Sequence, residues 1–304
     1  MDVNRLRALR ELARRGTMAA AAEALFLTPS AVSQQVALLE QEVGVALTER
    51  RGRGVRLTPA GEALVAHAER IMVVLDEARS EMAQLRREIA GELRVAAFPT
   101  IASAVLPETV KALRAVFPRL DVVLEEMEPL DGLAALGSWR TDVALVDDLS
   151  APLAGQPDAL GLVPLAQDRL YALLPEAHAL ASRRSLGMGE LRGEAWAMDS
   201  TASAFGGVVM GLCRRAGYEP RVNARCTGFE MVAAMVASGC SVSVVPGLRL
   251  LRPSPGLRAV RLQPEVRRQI SAAYRRGERD HPAVAAFVQE LARTTRQLLG
   301  PKAA

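Results

Sequence analysis

Cysteine is scarce: the 304-residue chain has three, Cys213, Cys226 and Cys240. The number is odd and no C-x-x-C spacing occurs, which excludes a zinc knuckle by sequence and argues against a disulfide framework. Buried thiols acting as small apolar side chains are the plain reading; a redox switch between two of them is the alternative. No run of eighteen apolar residues is present, so no transmembrane helix is expected. The opening MDVNRLRALR lacks the apolar segment and small-residue cleavage site of a secretory signal, and a cytoplasmic location is expected. Catalytic signatures are missing too. His67, His178 and His281 have no metal-ligand spacing, no G-x-S-x-G or P-loop run occurs, and Gly187 and Gly189 lack a third glycine at dinucleotide-binding spacing. No catalytic residue, metal site or cofactor is assigned, and no enzyme is expected. Lysine is nearly absent, at Lys111 and Lys302 only, so arginine carries the positive charge; a formal net charge of +4 does not by itself imply nucleic acid.

Half of the residues are apolar, and the length allows two or three domains with sizeable cores. The most informative stretch runs from Thr17 to Glu42, TMAAAAEALFLTPSAVSQQVALLEQE, and reads as two helices joined by a tight turn. Thr17 is an N-cap candidate before a run of alanines, the best helix formers. Thr28 and Pro29 give a second start signal, since proline fits the first helical position, where its missing N–H costs nothing. Val32, Val36, Leu39 and Val43 share one face of that second helix, and Gly44 ends it. The other face carries Ser30, Ser33, Gln34 and Gln41, uncharged hydrogen-bonding side chains suited to base edges. An earlier helix with Val3, Leu6, Leu9, Leu12 and Ala13 at helical spacing completes a compact three-helix head. Arg51, Gly52, Arg53 and Gly54 then form a turn between two short extended runs, a β-wing whose arginines suit phosphate contacts or a narrow minor groove. A solvated basic turn is the alternative.

Thr58 and Pro59 repeat the helix-start signature, and a helix is predicted to run to about Ala90, with Gly91 as its stop. Leu64, Ala68, Ile71, Leu75, Ala78, Met82, Leu85 and Ile89 alternate steps of four and three. Such a heptad seam favours a second copy of the same helix and hence a dimer, whose twofold axis suits an inverted-repeat operator. Beyond Gly91, strands and helices alternate, which argues for α/β lobes with parallel sheets. Strands are expected over residues 92–98, 120–127 (apolar on one face), 141–147, 162–165, 170–174, 195–198, 221–226, 241–245, 257–262 and 269–274. Helices are expected over residues 100–117, 129–137, near 186–192, over 205–215 and 229–237, and at the C-terminal end with Val284, Phe287, Val288 and Leu291.

Residues 1–90 resemble the N-terminal region of LysR-type transcriptional regulators. The resemblance rests on the Leu6 to Leu12 helix, Gly16-Thr17, Ala21-Ala22, Leu25, the run Thr28-Pro29-Ser30-Ala31-Val32-Ser33-Gln34-Gln35-Val36, Leu39-Glu40, Gly44, Leu47, Glu49-Arg50 and Leu57-Thr58-Pro59-Ala60-Gly61. Thr48 stands where the family usually has Phe, and Leu9 where an aromatic is usual. The resemblance implies that Thr28, Pro29, Ser30, Ser33 and Gln34 face the major groove and that Arg51 and Arg53 touch backbone or minor groove. Gln34 is the first choice for adenine, whose N6 and N7 edge pairs with an amide; the Thr28 hydroxyl is also wanted by its own helix. Residues 91 to about 298 resemble the family's effector domain, two-lobed like periplasmic solute-binding proteins, through Gly91-Glu92-Leu93-Arg94-Val95, Leu106-Pro107, Phe117-Pro118, Asp142-Val143-Ala144-Leu145 and Met235-Val236-Ala237-Ser238-Gly239 running into Val244-Val245-Pro246.

The organisation expected from this is a winged helix-turn-helix DNA-binding domain over residues 1–58, a linker and dimerisation helix over 59–90, and an effector-binding domain over 91–298. Its first lobe is expected at about 91–162 and 268–298, its second at about 163–267. An effector would sit between the lobes at strand-to-helix junctions carrying Thr100 and Ser103, Thr201 and Ser203, and Thr227 and Phe229, where N–H groups and hydroxyls suit a small carboxylate. An alternative makes these hydroxyls helix caps alone. Asp147 and Asp148, at a strand end, would instead select an amine, which makes an amino-acid-like effector a specific expectation, with ordinary surface acids as the alternative. Expected partners are double-stranded DNA, the effector and a second copy of the chain, with a homotetramer and RNA polymerase as further partners and no membrane. The alternatives are a ligand-independent or cysteine redox-responsive DNA-binding regulator, a DNA-bending protein with an empty cleft, and a periplasmic solute-binding protein.

Overall fold

The computed structural model describes residues 1–51, 54–86, 89–151, 160–199, 204–251 and 255–299. Helix α1 (Val3–Arg15) begins where the Asp2 carboxylate accepts the Asn4 N–H at 2.8 Å and ends at Gly16, whose φ of +73° is one that side chains resist. α2 (Met18–Leu25) and α3 (Pro29–Val43) are capped by Thr17 and Thr28, each hydroxyl accepting the N–H three residues on at 3.2 Å. Leu6, Leu9, Leu12, Val32, Val36 and Leu39 close the core of the head. Strands β1 (Thr48–Arg51) and β2 (Gly54–Leu57) pair antiparallel in the expected wing. One oxygen of Glu40, on α3, fastens it by accepting the N–H groups of Leu47 and Thr48 at 2.8 and 2.9 Å and the Thr48 hydroxyl at 3.0 Å. Threonine thus gains a polar anchor where the resembled family usually has phenylalanine.

Helix α4 (Pro59–Gln84) starts on the expected Thr58 cap, but it stops six residues short of Ala90. Ile89 has left the helix and packs on the first effector lobe, so it is not part of a helical seam. The N-terminal part of the expected seam is spent inside the protomer: Leu64, Ala68 and Ile71 pack on the core of the head. Met72 closes the same core, and Asp76 and Ser80, each one turn further on, continue the buried face along the chain's own effector half. Leu75, Ala78, Met82 and Leu85 lie outward, with Met82 58% and Leu85 76% exposed.

The first lobe comprises β3 (Gly91–Ala97), α5 (Pro99–Ala104), α6 (Leu106–Val116), β4 (Leu120–Glu126), α7 (Pro129–Gly137) and β5 (Val143–Asp147). The chain passes into the second lobe along β6 (Leu160–Pro175), which continues into β7 (Ser185–Leu186), β8 (Ala195–Asp199), α8 (Ala204–Arg215), β9 (Arg221–Cys226), α9 (Phe229–Ala237), β10 (Ser243–Pro246) and β11 (Leu257–Leu262). It returns through β12 (Arg267–Arg275) and ends in α10 (Pro282–Leu299). The main sheet runs β4-β3-β5-β12-β6-β11-β7, with β10 also paired to β6, and β8 and β9 form a separate parallel pair. The sheets are mixed rather than parallel: β3 pairs parallel with β4 and β5, whereas β6 and β12, which join the lobes, run antiparallel to their long partners. Phe98, Ile101 and Phe287 centre the first core, and Trp196 the second.

Three further expectations change. The helix over 100–117 is broken at Val105, because Pro107 cannot donate within a continuous helix and instead occupies the first turn of α6. The strands at 162–165 and 170–174 are one strand. The helix near 186–192 is the short β7 followed by a single 3₁₀ turn, Met188–Leu191. Strand β4 is an edge strand, and Val123 and Leu124 are exposed despite their apolar pattern.

Candidate DNA-reading face and interlobe cleft

Thr28, Pro29, Ser30, Ser33 and Gln34 are all exposed on the start of α3, opposite its buried valines. The Thr28 hydroxyl caps the helix and lies 2.9 Å from that of Ser30, whereas Ser33 and Gln34 project from the next turn. Their outward face is made of hydroxyls and an amide, groups that can hydrogen-bond to base edges. Arg53 lies outside the described residues, and of Arg51 only the backbone, at the end of β1, falls within them.

Between the lobes is a cavity of about 460 Å³. It forms where strands end: Phe98 and Thr100 follow β3, Asp147 ends β5, Asp199 ends β8, Thr227 follows β9, and Arg268 comes from the start of β12. Thr100, Ser103, Asp147, Thr227 and Phe229 all line it. Thr201 and Ser203 lie outside the described residues. The hydroxyls already have work: Thr100 accepts a hydrogen bond from Arg268 Nη2 at 2.8 Å, and Ser103 donates to the Pro99 carbonyl at 2.8 Å. Asp148 is turned away, its carboxylate accepting the Gln269 N–H at 2.7 Å.

Asp147 apart, the charged groups of the cleft are what the sequence reading missed. Arg268 is 2% exposed, donates through Nε and Nη2 to one oxygen of Asp168 at 3.1 and 2.8 Å, and lies 5.0 Å from the Phe98 ring centre. The other Asp168 oxygen accepts the Leu248 N–H at 3.1 Å. Arg249 faces the Phe229 ring at 5.0 Å, with Ser103 Oγ at 3.4 Å from its Nη1. Burial lowers the Arg249 pKa, and Glu230 and Asp199 partly oppose that. Glu128, before α7, reaches across the cleft to accept the N–H of Ala204 at 3.2 Å. A carboxylate of the first lobe thus occupies the N-terminus of α8 in the second. Burial pushes the carboxyls of Glu128 and Asp199 above the usual range, with the Ala204 N–H and Arg249, respectively, pulling the other way.

The head also docks on the first lobe. Trp139, after α7, lies beneath the guanidiniums of Arg7 and Arg10 at 4.3 and 4.7 Å and of Arg275 at 5.5 Å, and its Nε1 donates to Asp76 of α4 at 2.9 Å. Arg275, from the far end of β12, pairs with Asp76, Asp142 and Glu278 at 3.3, 3.1 and 2.6 Å. Arg10 donates to the Gly137 carbonyl, and Arg140 stacks at 4.0 Å on Phe26, in the turn between α2 and α3. Trp139 has φ +60°, an uncommon backbone for so large a residue, and its ring is held by the Arg7 and Arg10 guanidiniums and the Asp76 carboxylate.

Two family models match the chain: Bacterial regulatory helix-turn-helix protein, lysR family, over residues 3–62, and LysR substrate binding domain, over residues 86–296. Among curated proteins, the hydrogen peroxide-inducible genes activator of Pectobacterium carotovorum subsp. carotovorum is 28% identical over 280 residues, 91% of each chain. The transcriptional dual regulator GltC of Bacillus subtilis is 25% identical over 256 residues, 84% of each. Among solved structures, full-length OxyR from Pseudomonas aeruginosa aligns with a TM-score of 0.63 at 25% identity, covering 97% of this chain and 95% of that one. Full-length CbnR complexed with its target DNA aligns at 0.53 and 26% identity, covering 97% and 100%. Among the described residues no helix is long and apolar enough to cross a membrane.

Proposed function

We propose, for a chain that belongs to the LysR family of DNA-binding transcriptional regulators and is not an enzyme, that it acts in the cytoplasm as a dimer or tetramer on an inverted-repeat operator under control of a small amino-acid-like effector. α3 reads the major groove through Ser33 and Gln34, and the wing contacts the DNA backbone or minor groove. RNA polymerase is the partner through which a change at the operator would reach transcription. The observation that carries the effector reading is the cavity itself, walled by both lobes and holding buried or half-buried charge from each. A guest that fits one separation of the lobes better than another shifts the population between them. β12 offers a route outward, because it carries Arg268 at the cleft and Arg275 at the contact with α4. The test is a thermal-shift screen of the full chain against amino acids and small organic acids, since a ligand of the folded state alone raises Tm. A selective, saturable rise supports the reading; no rise across the panel counts against it.

The relative named for hydrogen peroxide favours a second reading, in which a cysteine is the sensor. Against it, Cys213 and Cys226 are buried, and burial raises both thiol pKa values, which keeps the reactive thiolate scarce. Cys240 is exposed. Operator binding before and after peroxide, in the parent and in Cys240→Ala, separates the readings: an unchanged isotherm in both leaves the ligand reading in place.

A further inference from the structure

The cleft is acidic, and its acids lack enough cations. Among the described residues, Glu126, Glu128, Asp147, Asp199 and Glu230 line it, against Arg249 and Arg268. Arg268 is shared: its Nε and Nη2 go to Asp168, behind the cavity wall, and only Nη1 faces an acid of the cleft, Asp147. Asp147 is the most telling of the five. It is 1% exposed, and its Oδ1 accepts the N–H groups of Leu149 and Ser150 at 3.1 and 2.8 Å. Its Oδ2 is buried without a hydrogen-bond partner, the nearest cation being Arg268 Nη1 at 3.5 Å. A buried carboxylate oxygen with a distant shared cation and no hydrogen bond has room for a further donor. The aromatic walls Phe98, Phe205 and Phe229 attract cations and exclude water. The N-terminus of α8, where a carboxylate guest would dock, is already held by Glu128.

Building on the cleft-effector reading, we infer that the guest carries an aliphatic ammonium or a guanidinium, as a basic amino acid or its decarboxylated amine does, and that this group sits against Asp147 Oδ2 with Glu128 and Asp199 around it. The guest's charge offsets carboxylates drawn from both lobes, Glu128 and Asp147 from the first and Asp199 from the second, and so favours their approach. Repulsion from the same three groups rejects a dicarboxylate.

The test is calorimetric titration of the full chain with arginine, agmatine, lysine and cadaverine in one group and glutamate and succinate in the other. It is repeated on Asp147→Asn and Asp199→Asn, with circular dichroism confirming that each variant is folded. The expected result is saturable binding of at least one cationic member, with Kd raised tenfold or more in both variants. Arginine against agmatine, and lysine against cadaverine, shows whether a carboxylate is read as well. Cationic binding that is equally tight in both variants overturns the site. Binding of the anions alone overturns the ligand class and leaves the cleft reading standing, whereas no binding by any member of either group overturns both.

Discussion

At the scale of single residues, polar side chains divide between those that hold the fold and those left for a partner. Gln34 has no role in the packing of α3 and is exposed, so Gln34→Ala is expected to weaken binding to a selected operator by about 1–3 kcal/mol and to leave binding to random duplex unchanged. Fluorescence anisotropy on the two duplexes checks this, and equal loss on both would remove the base-contact assignment. Asp168 is of the other kind. Asp168→Ala removes the carboxylate that takes two donors of a buried guanidinium, leaving Asp147 at 3.5 Å as its remaining acid, and chemical denaturation is expected to show a loss of roughly 3 kcal/mol. The cap residues Thr17, Thr28 and Thr58 were legible in the sequence because a cap is local: hydroxyl, turn and helix lie within four residues. The Asp168–Arg268 pair was not, since its members are 100 residues apart and only the pairing of β6 with β12 brings them together. For the same reason Thr100 and Ser103 read as open hydroxyls although arginines from distant elements stand over them.

At the scale of elements, α4 shows how one pattern can serve two surfaces. Its seam was legible as apolar positions at heptad spacing, but periodicity does not say which stretch meets its own chain. The head takes Leu64, Ala68, Ile71 and Met72, and Asp76 and Ser80 turn toward the effector half, where Ser80 Oγ donates to the Gly277 carbonyl at 2.9 Å. The outward stripe that remains, Val74, Leu75, Met82 and Leu85, is exposed among the described residues and is the surface we propose for a second copy. Met82→Glu sets like charges against each other across such a twofold contact. Sedimentation velocity is expected to show a shift toward monomer, and an unchanged distribution would move the dimer contact elsewhere. The end of α4 was misjudged because Ile89 continues the spacing, yet its side chain is claimed by the first lobe.

At the scale of the whole molecule, the two halves are joined by more than a linker. Trp139 links α1, α4 and β12 through three guanidiniums and one carboxylate, a contact whose hydrogen bond and cation–π terms are worth roughly 2 kcal/mol together. Trp139→Ala is expected to lower Tm and to enlarge the radius of gyration in small-angle scattering as the head loosens from the first lobe; an unchanged scattering profile would show that the linker alone fixes the arrangement. The division into a reading head, a helix and two α/β lobes was legible in the sequence, since caps, wing and strand–helix alternation are all written locally. Nothing local marked the docking of the head, which depends on a tryptophan, arginines and an aspartate drawn from α1, α4, β12 and the turn after α7. Control by an effector requires that the cleft change what the head does on DNA. The most direct measurement is the binding isotherm and footprint of the full chain on its selected operator, with and without saturating cationic guest. A shifted isotherm or an altered footprint is expected, and it should vanish in Asp147→Asn. An identical isotherm and footprint with the guest demonstrably bound would contradict the account.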